Sequence, residues 1–277
     1  MVHPPSRTLR IEPAQSWQGL NVAELWRYRE LLYFFVWRDI KVRYKQTVLG
    51  GLWAIIQPVA ATALFTVFFG RLGGLSKQVN GSYSLFVYVG LALWTFYSNA
   101  VTLAANSLVG SSHLVAKVYF PRLLIPIASI LSGLVDFAIS FAFLLVLMVA
   151  YGVPPTLQML TLPIFLIGTL AVAAGAGILF AALIVSYRDF RYVSTFVVQL
   201  WLYATPVLYT LDIIPAKWRL WYAINPMVGM VIGFRSAILG GRFPYDLVLI
   251  SAAGAVVLLA AGLYHFSAVE RRLADVI

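Results

Sequence analysis

Few residues in this 277-residue chain have the types and spacing that chemistry requires. The three histidines, His3, His113 and His265, lie in different segments, and none has the spacing of a metal ligand set. The sequence contains no Gly-Lys pair, hence no Walker A loop for ATP, and no serine lies in a Gly-x-Ser-x-Gly elbow. The absence of cysteine excludes thiolate metal sites, disulfides and cysteine nucleophiles. We therefore expect no catalytic residues, bound metal or cofactor in this chain.

Asp136 is the one acidic residue near the middle of a long apolar run. An ionisable residue at such a position is costly and is a functional candidate by default. The alternative, which we favour, is a hydrogen bond to Ser132, Ser140 or a facing helix. No second charge of opposite sign lies inside a predicted span, so a proton relay is not supported.

The composition is that of a polytopic membrane protein. Hydrophobic residues make up 61% of the chain and charged residues 11%, with a mean hydropathy of +0.87, whereas a soluble domain carries about 25% charged residues. The net charge of +10 comes from basic residues beside apolar runs. Topology and lipid headgroups explain that placement better than nucleic acid does. The first 30 residues lack the features of a signal peptide, so the first span is expected to be the targeting signal.

The apolar runs predict an all-α membrane protein with six transmembrane helices. The expected spans are about 48–70, 85–108, 123–151, 157–186, 193–206 and 247–268. With the N-terminus inside, the cytoplasmic segments contain more lysine and arginine than the outer ones, chiefly because of residues 1–49. A seventh span would move Arg271 and Arg272 outside, which makes six the better count. Gly175 and Gly177 are available for close helix packing.

Residues 211–246 are apolar but interrupted. Asn225-Pro226 and Arg235 cut the window 220–239 into pieces too short to cross a bilayer. We expect two short helices that enter the membrane and return, which is tolerable where they pack against protein or a water-filled cavity.

An amphipathic helix is expected over 24–46, between a flexible cytoplasmic arm (1–23) and the transmembrane domain (47–268); a cytoplasmic tail (269–277) ends the chain. Leu31–Trp37 is an apolar run too short to span, and charged residues follow it. A helical wheel gathers Leu25, Tyr28, Leu32, Phe35 and Val36 opposite a basic side, which predicts an interface helix with its aromatic face in lipid and its basic face in water. The alternative is an ordinary flank that obeys the positive-inside rule.

Two further patterns favour binding. The loop 109–122 is cytoplasmic by parity yet rich in apolar residues, which suits insertion into a groove on another protein; the alternative is that these residues lie against headgroups.

Aromatic residues that do not fit an interfacial belt lie in or beside the first and fifth spans, and such rings suit the C–H faces of sugars. Packing or lipid contact is the alternative for each. The residues predicted to line a channel are Phe65, Phe68, Trp201, Tyr203 and Tyr209.

Five segments in order carry a family resemblance: WRYRELLYFFVWRDIKVRYKQTVLGGLWAIIQP (26–58), HLVAKVYFPR (113–122), SYRDFRYV (186–193), ATPVLY (204–209) and YAINPM (222–227). They resemble the membrane subunit of ABC-2 type polysaccharide exporters, the O-antigen, capsule and teichoic-acid permeases, over about residues 24–268. The resemblance implies a pair of six-span copies, each bound by a separate ATPase that holds ATP and Mg, in the bacterial inner membrane with both termini cytoplasmic. The cargo it implies is a lipid-linked polysaccharide, moved through a channel at the homodimer interface whose outer side residues 211–241 close.

The resemblance also implies the surface where the ATPase docks. Its residues would be Arg27, Arg38, Lys41, Arg43 and Lys45 of the interface helix and Leu114, Val115, Lys117, Val118, Tyr119, Phe120, Pro121 and Arg122 of the loop. The competing hypotheses are an ABC-2 exporter of a small drug or lipid, a membrane-embedded enzyme of glycolipid metabolism and an ion-coupled carrier. Scattered acids disfavour the enzyme, and the single midplane charge disfavours the carrier.

Overall fold

The computed structural model describes residues 22–45, 47, 49–79, 81–118 and 120–270. Every regular element in these residues is a helix, which confirms the predicted all-α class. The α-helices, numbered in chain order, are α1 (Val22–Arg27), α2 (Arg29–Tyr44), α3 (Trp53–Phe65), α4 (Tyr83–Gly110), α5 (Ser112–Lys117), α6 (Leu124–Ala150), α7 (Leu162–Ser186), α8 (Phe190–Tyr203), α9 (Ala216–Tyr222), α10 (Pro226–Leu239) and α11 (Tyr245–Glu270).

Five helical segments of the described chain are long and apolar enough to cross a bilayer. They are Gly50–Leu72, in which α3 continues into a π-helical turn, Tyr83–Gly110, Leu124–Ala150, Leu157–Ser186 and Tyr245–Glu270. In the place of the fifth predicted span lies α8, which has only 14 residues. Its length is about 21 Å at 1.5 Å per residue, short of a hydrocarbon core of about 30 Å. A buried, non-helical stretch at 205–208 continues the chain inside the bundle.

The centre of the fold is α4, because it is apolar on nearly all sides. The helices α3, α6, α7, α8 and α10 pack around it. Tyr88 and Tyr97 are among its largest fully buried side chains. The hydroxyl of Tyr88 donates to the carbonyl oxygen of Ser140 on α6 at 3.2 Å, and the ring of Tyr97 meets that of Trp201 on α8 edge-on, with centroids 5.6 Å apart. The hydrogen bond of Tyr88 and the ring contact of Tyr97 therefore fix which faces of α6 and α8 contact α4.

Glycines allow α7 to approach its neighbours closely. A Cβ added to Gly175 would lie 2.7 Å from the amide nitrogen of Leu259 on α11, and one added to Gly177 would lie 2.7 Å from the Cβ of Ala104 on α4. Only a residue without a side chain permits such a separation. The structure therefore confirms the predicted use of both glycines in helix packing.

Two hydrogen bonds define the ends of the bundle. The Nε2 atom of Gln158, just before α7, donates to the carbonyl oxygen of Gly241, just before α11, at 3.2 Å. At the opposite end, Nη1 of Arg122, just before α6, donates to the carbonyl oxygen of Glu270 at 2.6 Å. Because α7 and α11 begin at the same end, they run parallel. The chain between them must cross the bundle once more, as the predicted six-span count requires.

The helices α9 and α10 form the re-entrant pair that the sequence predicts. They meet at 108°. Oγ of Ser251 donates to the carbonyl oxygen of Ala223 in the turn between them, at 2.8 Å. Ser251 is six residues into α11, about 9 Å along its axis from Tyr245. The turn therefore lies below the end where α11 begins, and α10 returns to that end at Gly240.

Candidate functional site

The loop before α6 is folded onto α2. Val115 and Phe120 are buried, and the ring of Phe120 meets that of Phe35 edge-on, with centroids 5.4 Å apart. Both rings belong to one apolar cluster with Leu123 and Leu124. The expectation that the whole loop offers exposed apolar residues is therefore wrong for Val115 and Phe120. Burying them removes apolar surface from water, which an isolated loop could not do.

The rest of the loop is accessible to a partner to differing degrees. Lys117 and Val118 are exposed, with 56% of the Val118 surface accessible, whereas Leu114, Pro121 and Arg122 are half-buried. Tyr119 lies outside the described residues. Since Arg122 also binds the end of α11, the loop is attached to α2, α6 and α11. We call the described residues of the loop, 112–118 and 120–122, the ledge; Lys117 and Val118 are exposed at its edge.

The apolar face of α2 contacts protein, not lipid as expected. Phe35 is buried, and Leu32 and Val36 are half-buried against the same cluster. A different set of α2 residues is exposed and available to an interface: Tyr33, Phe34, Trp37 and Val42. The wheel separated apolar from charged residues, but only the packing of the loop and α6 decided which apolar residues face inward.

The five predicted basic residues of the interface helix have different roles. Arg27, Lys41 and Lys45 are exposed, as a headgroup or ATPase contact requires. Arg38 donates to Asp39 at 2.8 Å and lies over the ring of Phe35. Arg43 points into the protein.

Asp136 accepts hydrogen bonds from two neighbouring residues of α2. Nη1 of Arg43 and the hydroxyl of Tyr44 donate to its two oxygens, and Nη2 of Arg43 donates to Oγ of Ser132 at 3.1 Å. We call these four residues the latch. The expected hydrogen bond of Asp136 to a facing helix is thus present, and the helix is α2. Arg43 supplies the opposite charge, from outside the predicted spans.

A second contact extends the same seam. Oγ of Ser129 donates to Oδ2 of Asp39 at 3.2 Å. Ser129, Ser132 and Asp136 are spaced i, i+3 and i+7, so they form one polar stripe on α6. That spacing was a signal in the sequence which pointed to a polar helix partner.

The latch keeps Tyr44 protonated. Burial and the hydrogen bond to Asp136 raise the pKa of the Tyr44 phenol above its ordinary value of about 10. The phenol is therefore a stable donor at every physiological pH.

Beside the latch is a cleft of about 300 Å³ between the end of α2, α3, α4 and α6. Its lining combines the latch residues Arg43, Tyr44 and Asp136 with two side-chain amides, Gln57 of α3 and Asn99 of α4. The residues expected to do chemistry did not include these amides. The signal in the sequence that could have found them is the rarity of side-chain amides within apolar runs.

The five aromatic residues predicted to line a channel do not form one surface. Phe68 and Tyr203 are each 58% exposed on α3's π-helical extension and on α8. Phe65 is half-buried against the core, with its ring 5.7 Å from that of Phe69. Trp201 donates from Nε1 to Oδ1 of Asn225 at 2.8 Å. Tyr209 is also bound within the chain, so only Phe68 and Tyr203 remain free for a channel.

Tyr209 and Trp201 instead support the re-entrant pair. The hydroxyl of Tyr209 donates to the carbonyl oxygen of Tyr203 at 2.8 Å and lies 2.5 Å from the hydroxyl of Tyr222. Asn225 caps α10, since its Oδ1 accepts from the amide of Met227 at 3.0 Å. Its Nδ2 donates to the carbonyl oxygen of Ala204 at 2.8 Å. The turn thus has the polar partners that backbone at membrane depth needs.

Arg235 supports the non-helical stretch after α8. Its Nη1 and Nη2 donate to the carbonyl oxygens of Pro206 and Val207 at 2.9 and 2.7 Å. Its guanidinium carbon lies 3.7 Å from the centre of the Phe86 ring. The predicted interruption at Arg235 is therefore absent from α10, which is continuous from Pro226 to Leu239. The side chain satisfies the backbone of another segment.

Comparison with known proteins gives a consistent result. Residues 30–239 match the family described as ABC-2 type transporter. The O-antigen export system permease protein RfbA of Myxococcus xanthus is 31% identical over 244 residues, which cover 87% of this chain and 93% of that protein. A protein of the same name from Klebsiella pneumoniae is 28% identical over 250 residues, 90% of this chain and 95% of its own length. The inner membrane transport permease YadH of Escherichia coli K12 is 28% identical over 220 residues, 76% of this chain and 84% of that protein.

Proposed function

The chain belongs to the ABC-2 type transporter family as a multi-pass membrane subunit, and from that premise we propose that it exports a lipid-linked polysaccharide of the O-antigen type. Two copies would form the channel in the bacterial inner membrane, with both termini in the cytoplasm. ATP and Mg would bind to a separate ATPase on each copy. The support for the cargo is the chain's similarity, over most of its length, to permeases named for O-antigen export.

The observation that carries the proposal of an ATP-driven transporter with a separate ATPase is the connection of the ledge to the spans. Phe120 packs on Phe35 in the middle of α2, and Arg43 and Tyr44 at the C-terminal end of α2 bind Asp136 on α6. A displacement of the ledge by a docked ATPase would therefore pull on α6. A subunit whose energy source is another protein needs such a path from its docking surface to its membrane helices.

A second copy would pack on the exposed surfaces of α3 and α8, both of which contact α4. Of the most apolar window in the segment Gly50–Leu72, 11% of the residues are buried, against 78% for Tyr83–Gly110. Phe68 and Tyr203 lie on these two exposed helical segments. Pairing would cover them and place their rings beside a passing glycan, where sugar C–H bonds stack on aromatic faces.

The alternative of an exporter of a small drug or lipid shares this architecture. It differs in cargo only, and the similarity to YadH, whose name specifies no cargo, does not distinguish the two. The identities to the O-antigen permeases favour the polysaccharide.

The docking proposal is tested with Val118→Asp. A charge at the edge of the ledge should release the ATPase, because apolar anchors at interfaces do not tolerate an unpaired carboxylate. Co-purification of the ATPase from cells that carry both genes, together with surface glycan, measures the effect. Leu157→Asp is the matched control, since Leu157 is also apolar and exposed (86% against 56% for Val118) but lies at the opposite end of the bundle.

We expect loss of ATPase binding and of export for Val118→Asp only, with normal membrane insertion. Retention of both would show that the ledge is not the docking surface. The purified single chain should hydrolyse no ATP above a contaminant control.

The channel proposal is tested with single cysteines in the naturally cysteine-free chain. A thiol at Phe68 or Tyr203 should react with a water-soluble reagent while the transporter turns over. Val257→Cys on α11 is the control, because it is exposed on the apolar surface and should contact lipid. Equal protection of all three thiols would contradict the assignment.

A further inference from the structure

The cleft beside the latch offers two unused amides. The side chains of Gln57 and Asn99 both line it and are exposed, and no residue in the described ranges forms a hydrogen bond with either amide. Each amide has a carbonyl oxygen that accepts and a nitrogen that donates two hydrogen bonds. Polar groups at membrane depth that lack protein partners are costly unless water or a ligand satisfies them.

The charges around the cleft select a neutral ligand. Of the described residues that line it, only Arg43 and Asp136 are ionised, and they form an ion pair. The Asp136 carboxylate balances the charge of the guanidinium, and Nη2 of Arg43 also donates to Oγ of Ser132. A phosphate or a carboxylate would therefore find no free positive charge, and a metal ion would find no free carboxylate.

The apolar part of the lining suits a ring with polar edges. Trp53 is half-exposed at the cleft, and Phe96 and Phe137 line it as well. Aromatic faces pack against the C–H face of a sugar while its hydroxyls reach polar partners. The volume of about 300 Å³ is at the lower end of the range for ligand pockets, which is about 300–1,000 Å³. That space suits one or two sugar rings and not a long polymer.

We infer that this cleft is a saccharide subsite, in which Gln57 and Asn99 hydrogen-bond the hydroxyls of a neutral sugar unit and Trp53 stacks on its ring. The inference rests on the proposed function and adds to it the place where the glycan is held. Because the latch forms part of the lining, an occupied subsite lies in direct contact with the residues that connect α2 to α6.

The test uses the full-length chain in its complex with the ATPase, in cells whose glycans are labelled with radioactive glucose. A photo-crosslinking amino acid replaces Trp53 or Leu103, both of which line the cleft, or Leu64, which is exposed further along α3. In parallel, Gln57→Leu and Asn99→Leu remove the amides, and Gln57→Asn keeps one. Gln78→Leu removes an exposed amide in the loop before α4.

We expect labelled glycan to crosslink at positions 53 and 103 while the transporter turns over. Each leucine variant should lower the export rate about fivefold, since each lost hydrogen bond to a neutral ligand reduces binding by about that factor. Gln57→Asn should retain more activity than Gln57→Leu, and Gln78→Leu should be unaffected.

Three results would overturn the inference. Crosslinks to phospholipid alone at positions 53 and 103 would make the cleft a lipid site. Glycan crosslinks at position 64 but not at 53 or 103, with normal export by the leucine variants, would place the glycan elsewhere and leave the proposed function intact. Surface glycan that does not depend on this chain would refute the proposed function together with the subsite.

Discussion

Two arginines point into this protein, and different groups hold them. Arg43 comes from α2 and binds the carboxylate of Asp136 on α6, at a cleft where both side chains remain about one quarter accessible. Arg235 comes from α10, is 8% exposed, and binds two backbone carbonyls and the face of an aromatic ring. Among the described residues, no acidic side chain forms an ion pair with Arg235.

The difference separates a link that can open from one that cannot. The groups of the latch can be rehydrated through the cleft, so its opening exchanges protein partners for water. The carbonyls of Pro206 and Val207 lie inside the bundle, where no water replaces a lost donor. We therefore expect Arg235 to maintain the fold and the latch to take part in coupling.

Arg235→Met should have the largest effect on stability. It leaves two buried carbonyls without donors, and each unsatisfied group costs about 1–3 kcal/mol, so the loss should be about 3 kcal/mol or more. Thermal unfolding of the purified chain measures it. Arg242→Met is the control, because Arg242 is exposed. Equal midpoints for the two variants would place the support of residues 205–208 elsewhere.

Gly90→Ala should disturb the same site while it keeps the arginine. A Cβ on Gly90 would lie 2.6 Å from Nη2 of Arg235 and 2.9 Å from the carbonyl oxygen of Val207. The guanidinium and the carbonyl must both move, and overpacking of this kind costs about 1–3 kcal/mol. Gly110→Ala is the matched control, since nothing lies within 4 Å of its added Cβ. Unchanged unfolding of Gly90→Ala would mean that the site is loosely packed.

Asp136→Ala should affect export more than stability. The loss of one partner from a partly exposed ion pair costs about 1–2 kcal/mol, but it removes the ion pair and the Tyr44 hydrogen bond that join the end of α2 to α6. The double variant with Arg43→Ala should recover part of the stability and none of the export, because it removes the unpaired charge without restoring the link. Asp212→Ala, which breaks the exposed pair with Arg219, is the control. Normal export by the double variant would exclude the latch from coupling.

Tyr44→Phe should have the smallest effect, about 1 kcal/mol for one hydrogen bond. The pKa of Tyr44 is raised on folding, so the stability it contributes is complete below its unfolded pKa of about 10 and is lost as the pH rises above that value. The difference in unfolding midpoint between wild type and variant should be constant from about pH 6 to about pH 9. Tyr33→Phe, at an exposed position, serves as control. A difference that changes within this range would contradict the assignment.

Much of the fold could be predicted because its causes are local. Asparagine is a preferred N-cap and proline suits the first helical position, so Asn225-Pro226 favours the start of a new helix, and the chain bends by 108° between α9 and α10. Arg235 was misjudged as a second interruption, since a helix tolerates an arginine whose charge finds partners outside that helix. The need for such partners is visible in the sequence, but their identity is not.

The sequence by itself determined where the apolar runs begin and end, which positions are too polar to remain unpaired, and that α2 has an apolar side. The tertiary structure decided that Phe35 meets Phe120, that Arg43 and Tyr44 meet Asp136 more than 90 residues away, and that Gln57 and Asn99 share one cleft. The physical reason is that apolar burial has no direction and many helix faces satisfy it equally. Hydrogen bonds have strict geometry, and they select among those packings only after the helices have come together.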